Sequence, residues 1–451
     1  MAGSRRRRRL RRQRQRAAAA ERDLPPNPTT PNAQDPSASV VDLPPELLAE
    51  IQCRLGFVDR LNFLAGCGGA GTSLLRHKAE APCLVLPGET TDAMTLFSTA
   101  SRETGTGRAP DPAMRGHVVL SSTDGWLVTA DAQATLRMAN PVTGEQAELP
   151  GIATGTIPFF SSCGSHILDS NLFEAVRFGG LPNGERRPPL TLAKWQMRKW
   201  FYRKAVLSTS PRPGRYAAML ILAREFGAPA FATAGDPAWR LAPSRDGVED
   251  AIHHEGRFYS VTYAGVVEAW DRDAETGEFT STPVAPGLPG GEDVRRRKYI
   301  AAAPDGRLMA VLKDSKKEAI KVEHYWPREQ LESPVFEVWV FDGERRQWVT
   351  APDIGDLALF VGVNTSVCVS AKEHPGIRGG CVYYTDDELG KASLRLERDG
   401  YPSHRSSIDG DCSYELRDLG VYVLKDGTVE RVEGLRRHPC WPPPAWFTPS
   451  V

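Results

Sequence analysis

The chain has 451 residues, 41% of them apolar, with 56 basic side chains against 56 acidic ones and a mean hydropathy of −0.37. That length builds one large or two ordinary domains with a substantial core, and no stretch nears the roughly eighteen uninterrupted apolar residues of a membrane helix. A secretory signal is not expected either, because the Arg-rich start runs into Pro and Asn and not into an apolar segment.

The zero net charge hides an asymmetry. Residues 1–22 hold ten arginines and one glutamate, so the rest of the chain carries the opposite balance. Arg5, Arg6, Arg7, Arg8, Arg9, Arg11 and Arg12 are too densely charged to fold. Such a run serves as a nuclear import signal, contacts phosphates, or is a solvated tail without a role; nuclear import is the reading carried forward, and nucleic acid is not an expected partner. Residues 24–39, rich in Pro, Asn, Thr and Ser, read as a linker. Residues 1–41 are therefore expected to be a disordered tail.

A helical period follows. In DLPPELLAEIQCRL, residues 42–55, the apolar Leu43, Leu47, Leu48, Ile51 and Leu55 recur at three- and four-residue steps. Pro44 and Pro45 suit a first helical turn, where a missing N–H costs nothing, and Glu46 suits its positive end. A second short helix is expected over 58–65. Gly66 to Gly71 then interrupt, and 73–78 offer a last turn, so that residues 42–80 form one small all-α module.

Beyond 82 the texture becomes that of strands. Two or three short strands and a polar loop (98–112) lead to the unit DGWLVTADAQATLRMANPVTGEQAELP at 124–150, which reads as strand, strand and an Asn140-Pro141-Val142-Thr143-Gly144 turn. Its opening phrase returns at 255–261 and 305–311, its closing turn at 276–278, and a Trp-led phrase stands at both 239–243 and 348–352. The second and third openings lie fifty residues apart, within the range of propeller-blade repeats. The fold expected for 82–450 is a mainly β propeller of six or seven blades, which would fold without the helices. Residues 205–245 and 247–286 read as two of those blades.

Segments between the repeats are less distinctive. KWQMRKWFYRK, residues 194–204, interleaves aromatics with cations, as base-stacking surfaces do, but a strand and connector with aromatics inward reads the same way. Arg295 to Lys298 read as an exposed connection, and 313–333 as a charged insertion within a blade.

Chemistry is sparse. There is no G-x-S-x-G, P-loop, H-E-x-x-H or dinucleotide fingerprint. His253-His254-Glu255 read as a turn beside a strand, and Asp386-Asp387-Glu388 as a hairpin turn. The eight cysteines (53, 67, 83, 163, 368, 381, 412 and 440) show no C-x-x-C pair and read as reduced thiols. No enzyme activity, metal or cofactor is expected.

Two sets of phrases do carry a resemblance. Leu43-Pro44-Pro45-Glu46-Leu47-Leu48, Ile51, Arg54-Leu55, Asp59-Arg60-Leu61 and Cys67 resemble an F-box, the helical module that docks its carrier on the Skp-type adaptor of an SCF ubiquitin ligase. Pro82-Cys83-Leu84-Val85-Leu86-Pro87, Asn140-Pro141-Val142-Thr143-Gly144, Lys204-Ala205-Val206-Leu207-Ser208, and the phrases at 355–362, 381–387 and 441–447 resemble the plant F-box proteins with a KIB-type β-propeller. The resemblance implies substrate recruitment for an SCF ligase, with adaptor and cullin as partners and an unnamed target on the propeller. It places adaptor binding on Leu43, Pro44, Leu47, Leu48, Ile51 and Leu55. One departure stands out: Gly68 to Gly71 occupy the place of the family's third helix and its tryptophan. Glycine costs about 1 kcal/mol per helical position against alanine, so a module that no longer engages the ligase is the alternative.

Overall fold

A computed structural model describes residues 43–66, 80–87, 94–107, 117–152, 159–162, 164–178, 187–314, 334–398, 418–436, 438 and 441–450. The arginines at 5–12, the linker, the glycines at 68–71, the turn at 73–78 and most of the charged insertion lie outside these residues.

Two helices come first, α1 (Pro45–Arg54) and α2 (Phe57–Gly66), followed by β1 (Cys83–Pro87), β2 (Met94–Ser98) and β3 (Thr104–Gly107). The second blade is β4 (Val118–Thr123), β5 (Trp126–Ala130), β6 (Leu136–Ala139) and β7 (Gln146–Glu148). An excursion then adds a three-stranded sheet, β8 (Phe159–Ser162), β9 (Ser165–Leu168) and β10 (Leu190–Ala193), with α3 (Ser170–Phe178) and α4 (Lys194–Trp200). The third blade is β11 (Tyr202–Leu207), β12 (Ala217–Leu222), β13 (Ala230–Thr233) and β14 (Arg240–Leu241). The fourth is β15 (Val248–His254), β16 (Arg257–Thr262), β17 (Val267–Arg272) and β18 (Phe279–Pro283). The fifth is β19 (Arg296–Ala302), β20 (Leu308–Asp314), β21 (Val335–Asp342) and β22 (Gln347–Thr350).

The sixth blade departs from the plain meander. It contains β23 (Leu357–Val361), β24 (Val367–Ser370), β25 (Cys381–Tyr384), β26 (Gly420–Val423) and β27 (Thr428–Glu430), with α5 (Leu389–Arg398) after β25. Here β23 lies between β24 and β25 and pairs in parallel with the latter. The last strand, β28 (Ala445–Phe447), returns to pair antiparallel with β1 and completes the first blade. The propeller therefore has six blades.

Each blade is apolar on both faces, so each buries itself against two neighbours. One core joins the second and third blades through Trp126, Met138, Leu220 and Trp239, and takes in Phe173 of α3, Met197 of α4 and Leu389 of α5. Phe231 and Phe258 join the third to the fourth, and Val261 and Ile300 the fourth to the fifth. Tyr299 and Val382 join the fifth to the sixth, and Phe360 and Leu84 the sixth to the first. Because β4 packs directly on β11, the three-stranded sheet lies outside the ring.

The recurring phrases now have physical roles. Asp124 and Gly125 both hold positive φ, 42° and 83°, as do Glu255 and Gly256 at 48° and 82°, which is the backbone of a tight hairpin turn. At Gly125 a Cβ would also lie 2.4 Å from the Ser450 carbonyl oxygen, so glycine is needed twice over. The Trp-led echo is a tie between blades. Trp239 donates its indole N–H to the Pro150 carbonyl at 2.7 Å, and Trp348 donates to that of Pro286 at 2.8 Å.

Two segments depart from the sequence reading. Residues 194–200 of the aromatic and cationic run form α4, with Met197, Arg198 and Lys199 buried, and only the remainder enters a strand. The polar loop at 98–112 contains β3.

Candidate functional site

The helical module is built on a proline start. Pro45 stands in the first turn of α1 with Glu46, and Arg54 closes the last turn, paired with Glu50 at 2.5 Å. The six residues assigned to adaptor binding divide between two environments. Leu48 is buried, Leu43, Ile51 and Leu55 are half-buried, and Pro44 is exposed. Leu47 is 51% exposed, a large apolar side chain turned to solvent.

The second helix is seated on the first blade. Phe57 and Leu61 are buried, and a Cβ at Gly105 of β3 would lie 3.5 Å from both Leu61 and Val58. Glu103, in the β2–β3 turn, accepts the Phe57 N–H at 3.1 Å. That carboxylate caps the positive end of α2, where backbone N–H groups lack helical partners. Arg60 donates to the Leu55 carbonyl at 2.8 Å and pairs with Glu80 at 2.6 Å. α2 thus covers β3, a contact that the sequence reading did not include. Glu103 had no sequence signal, because its partner lies 46 residues away.

One end of the ring is a belt of turns. Asp124 accepts the Ser210 N–H at 2.8 Å, tying the β4–β5 turn to the β11–β12 turn. The His253 Nδ1 accepts the Thr209 N–H at 3.0 Å, which carries the belt on to the β15–β16 turn. Gly125 donates to the Thr448 carbonyl at 3.0 Å, just after β28. Since β2 and β28 flank β1 and both run antiparallel to it, they share one sense and the Glu103 turn is at this end too.

The N-terminal ends of the inner strands hold buried charge. Lys204 of β11 bonds Asp250 of β15, and Asp250 also accepts the Ile300 N–H and the Ser366 hydroxyl, both at 3.0 Å. Glu249 meets Lys298 at 3.1 Å and Arg297 at 3.2 Å. Arg297 and Tyr299 both engage Asp387, and Lys313 bonds Asp418. Burial pushes the Asp387 carboxyl up, but Lys313, the Tyr299 hydroxyl and Arg203 outweigh it and hold it below the usual carboxylate range. The cluster pairs charges across the third to sixth blades, and burial still pushes the Glu249 carboxyl up to about 7 and the Asp418 carboxyl above its usual range. It corrects two readings. Arg297 and Lys298 are buried in β19 and not in an exposed connection, because Glu249 supplies their counter-charge. Asp386-Asp387-Glu388 joins β25 to α5 and is no hairpin turn. Among the described residues, no three His, Cys, Asp or Glu side chains are placed to hold a metal ion.

A ring of six blades, antiparallel but for the β23–β25 pair, with short helices seated on its first blade defines a β-propeller protein with an appended helical module. The KIB1-4 beta-propeller model matches residues 96–423, and the chain belongs to that family. The helices precede the matched region. Among curated relatives, the F-box protein SKIP23 of Arabidopsis thaliana is 24% identical over 261 residues, 55% of this chain and 58% of that protein. The putative F-box protein At5g60060 of the same plant is 25% identical over 189 residues, 40% of this chain and 46% of that protein. The matches thus span about half the length of these relatives.

Proposed function

We propose that this chain is the substrate-recruiting subunit of an SCF-type ubiquitin ligase. Its helices dock a Skp-type adaptor and, through it, the cullin, while the propeller holds the target protein. The chain itself makes and breaks no bond; it raises the concentration of target near the ligase by tethering both. The observation that carries the reading is Leu47 beside Pro44, turned to solvent on a helix whose Leu48 is buried. The F-box relatives support it.

Calorimetric titration with plant Skp-type adaptors tests the proposal. The double change Leu43→Ala, Pro44→Ala is expected to weaken binding at least tenfold, about 1.4 kcal/mol. Leu47→Asp acts in the same direction. Because Leu47 is half exposed before any partner arrives, that change leaves the melting temperature in place, which separates lost binding from lost folding. Absence of binding by the unmodified chain at concentrations on the order of tens of micromolar, to each of several adaptors, overturns the reading. What remains is then a propeller scaffold whose helices do not engage the ligase.

We also propose that the arginines at 5–9, 11 and 12 direct nuclear import. Residues 1–22 fused to a reporter too large for passive diffusion should gather it in the nucleus, and serine at positions 5–9 should disperse it. A reporter indifferent to those replacements refutes the assignment, as does delivery to mitochondria or plastids.

A further inference from the structure

A pocket of about 350 Å³ opens between the third and fourth blades, at the end of the ring that bears the turn belt. Its walls are the β11–β12 turn with the start of β12, the end of β13 and the end of β17. Arg215 and Arg272 are the charged residues of its lining, and no carboxylate is among them; Ser208, Thr209, Ser210 and Thr233 contribute hydroxyls.

Both arginines are exposed, and both are held loosely. Among the described residues the Arg215 guanidinium has no side-chain partner, and Arg272 meets one carboxylate, that of Asp236, at 3.9 Å. That carboxylate is already engaged, accepting the Thr233 N–H at 2.7 Å and its hydroxyl at 2.6 Å. The wall itself is firm. Ser208 accepts the Ala217 N–H at 3.0 Å, and the belt bonds to Asp124 and His253 fix Ser210 and Thr209.

Two guanidinium forks set among hydroxyls, met by one carboxylate and that at 3.9 Å, match a tetrahedral dianion, which accepts bonds from several directions at once. The space exceeds what one phosphate needs: it equals the liquid share of about twelve waters, room for a phosphorylated side chain and its flanking backbone. We propose that this pocket binds a phosphorylated serine or threonine in an extended segment of the target protein, with Arg215 and Arg272 clamping the phosphate. Clusters of arginine are a recurring means of reading such modifications. The proposal rests on the recruiting role above and names the class of target: one that the chain captures only after phosphorylation.

The test uses the full chain and fluorescein-labelled random peptides with a central phosphoserine or phosphothreonine, beside the same peptides unmodified. Fluorescence anisotropy should show the phosphorylated set binding at least tenfold tighter. Arg215→Ala or Arg272→Ala should each remove most of that preference and the double variant all of it, with inorganic phosphate competing at the unmodified pocket. Equal binding of the two peptide sets overturns the proposal. So does a phosphate preference that survives the double variant, or binding of a soluble inositol phosphate without binding of the phosphopeptides. Adaptor titrations on the same preparations report on the helices alone. A chain that binds phosphopeptides but no adaptor keeps the pocket and loses the ligase reading, and the reverse outcome does the opposite.

Discussion

A chain deprived of residues 441–450 does not form the ring. Strand β28 supplies the first blade with pairs to Cys83, Leu84 and Val85, and Trp446 is buried against Phe360 and Tyr383, ring centres at 5.0 and 6.0 Å. Its carbonyl accepts the Ser122 hydroxyl at 2.6 Å, and the segment beyond bonds Gly125 and Asn140 of the second blade. Strand, aromatic anchor and the bridge from first to second blade are lost together. The single change Trp446→Ala tests the same closure more gently. A buried Trp→Ala change costs about 3–5 kcal/mol, against a total stability of about 5–15 kcal/mol for a typical fold. Urea unfolding should show the midpoint of Trp446→Ala far below that of the unmodified chain, and the truncated chain should lack a cooperative transition. An unchanged midpoint would mean that β28 does not close the ring.

The second large effect is expected at Lys204. It is fully buried, as is Asp250, its partner. Lys204→Met leaves a carboxylate in the interior with only the Ile300 N–H and the Ser366 hydroxyl to compensate it. Breaking one side of a buried pair costs about 3–5 kcal/mol. Asp250→Asn in the Lys204→Met background removes the stranded charge and keeps an acceptor for both remaining donors, so it should recover part of the loss. The checkable quantity is the coupling between the two positions in a double-mutant cycle of urea unfolding free energies. Strictly additive losses would refute the account.

Much of the fold was legible because it rests on local chemistry. The hairpin turns at Asp124-Gly125, Glu255-Gly256 and Asp305-Gly306 each hold their glycine at positive φ, and those acidic-Gly pairs marked the second, fourth and fifth blades. The Trp-led echo marked the ties between blades. What stayed hidden depends on distant partners. The strand that closes the ring pairs with one more than three hundred residues earlier. The cations of β19 look solvent-exposed until Glu249, 48 residues back, is set beside them. The sixth blade lacks the recurring opening phrase, and its order, with β23 between β24 and β25, follows from pairing alone. At the candidate site the limit is finer. Helical periodicity puts Leu47 and Leu48 on one apolar stripe, and only packing decides that Leu48 turns in and Leu47 out. Arg215 and Arg272 belong to different blades and to no common motif.

The seat of α2 on the first blade has a geometric consequence. Glu103 holds the helix by its end, and the surface around Gly105 holds it by its side. Two such restraints, one along the helix axis and one across it, leave a short helix without a swivel. Under the proposed role, a partner docked on these helices would be pointed in a direction set when the chain folds. The reach of such an assembly would then be a fixed bearing relative to the ring, like a sight bolted to its mount, and not a cone swept by a flexible joint.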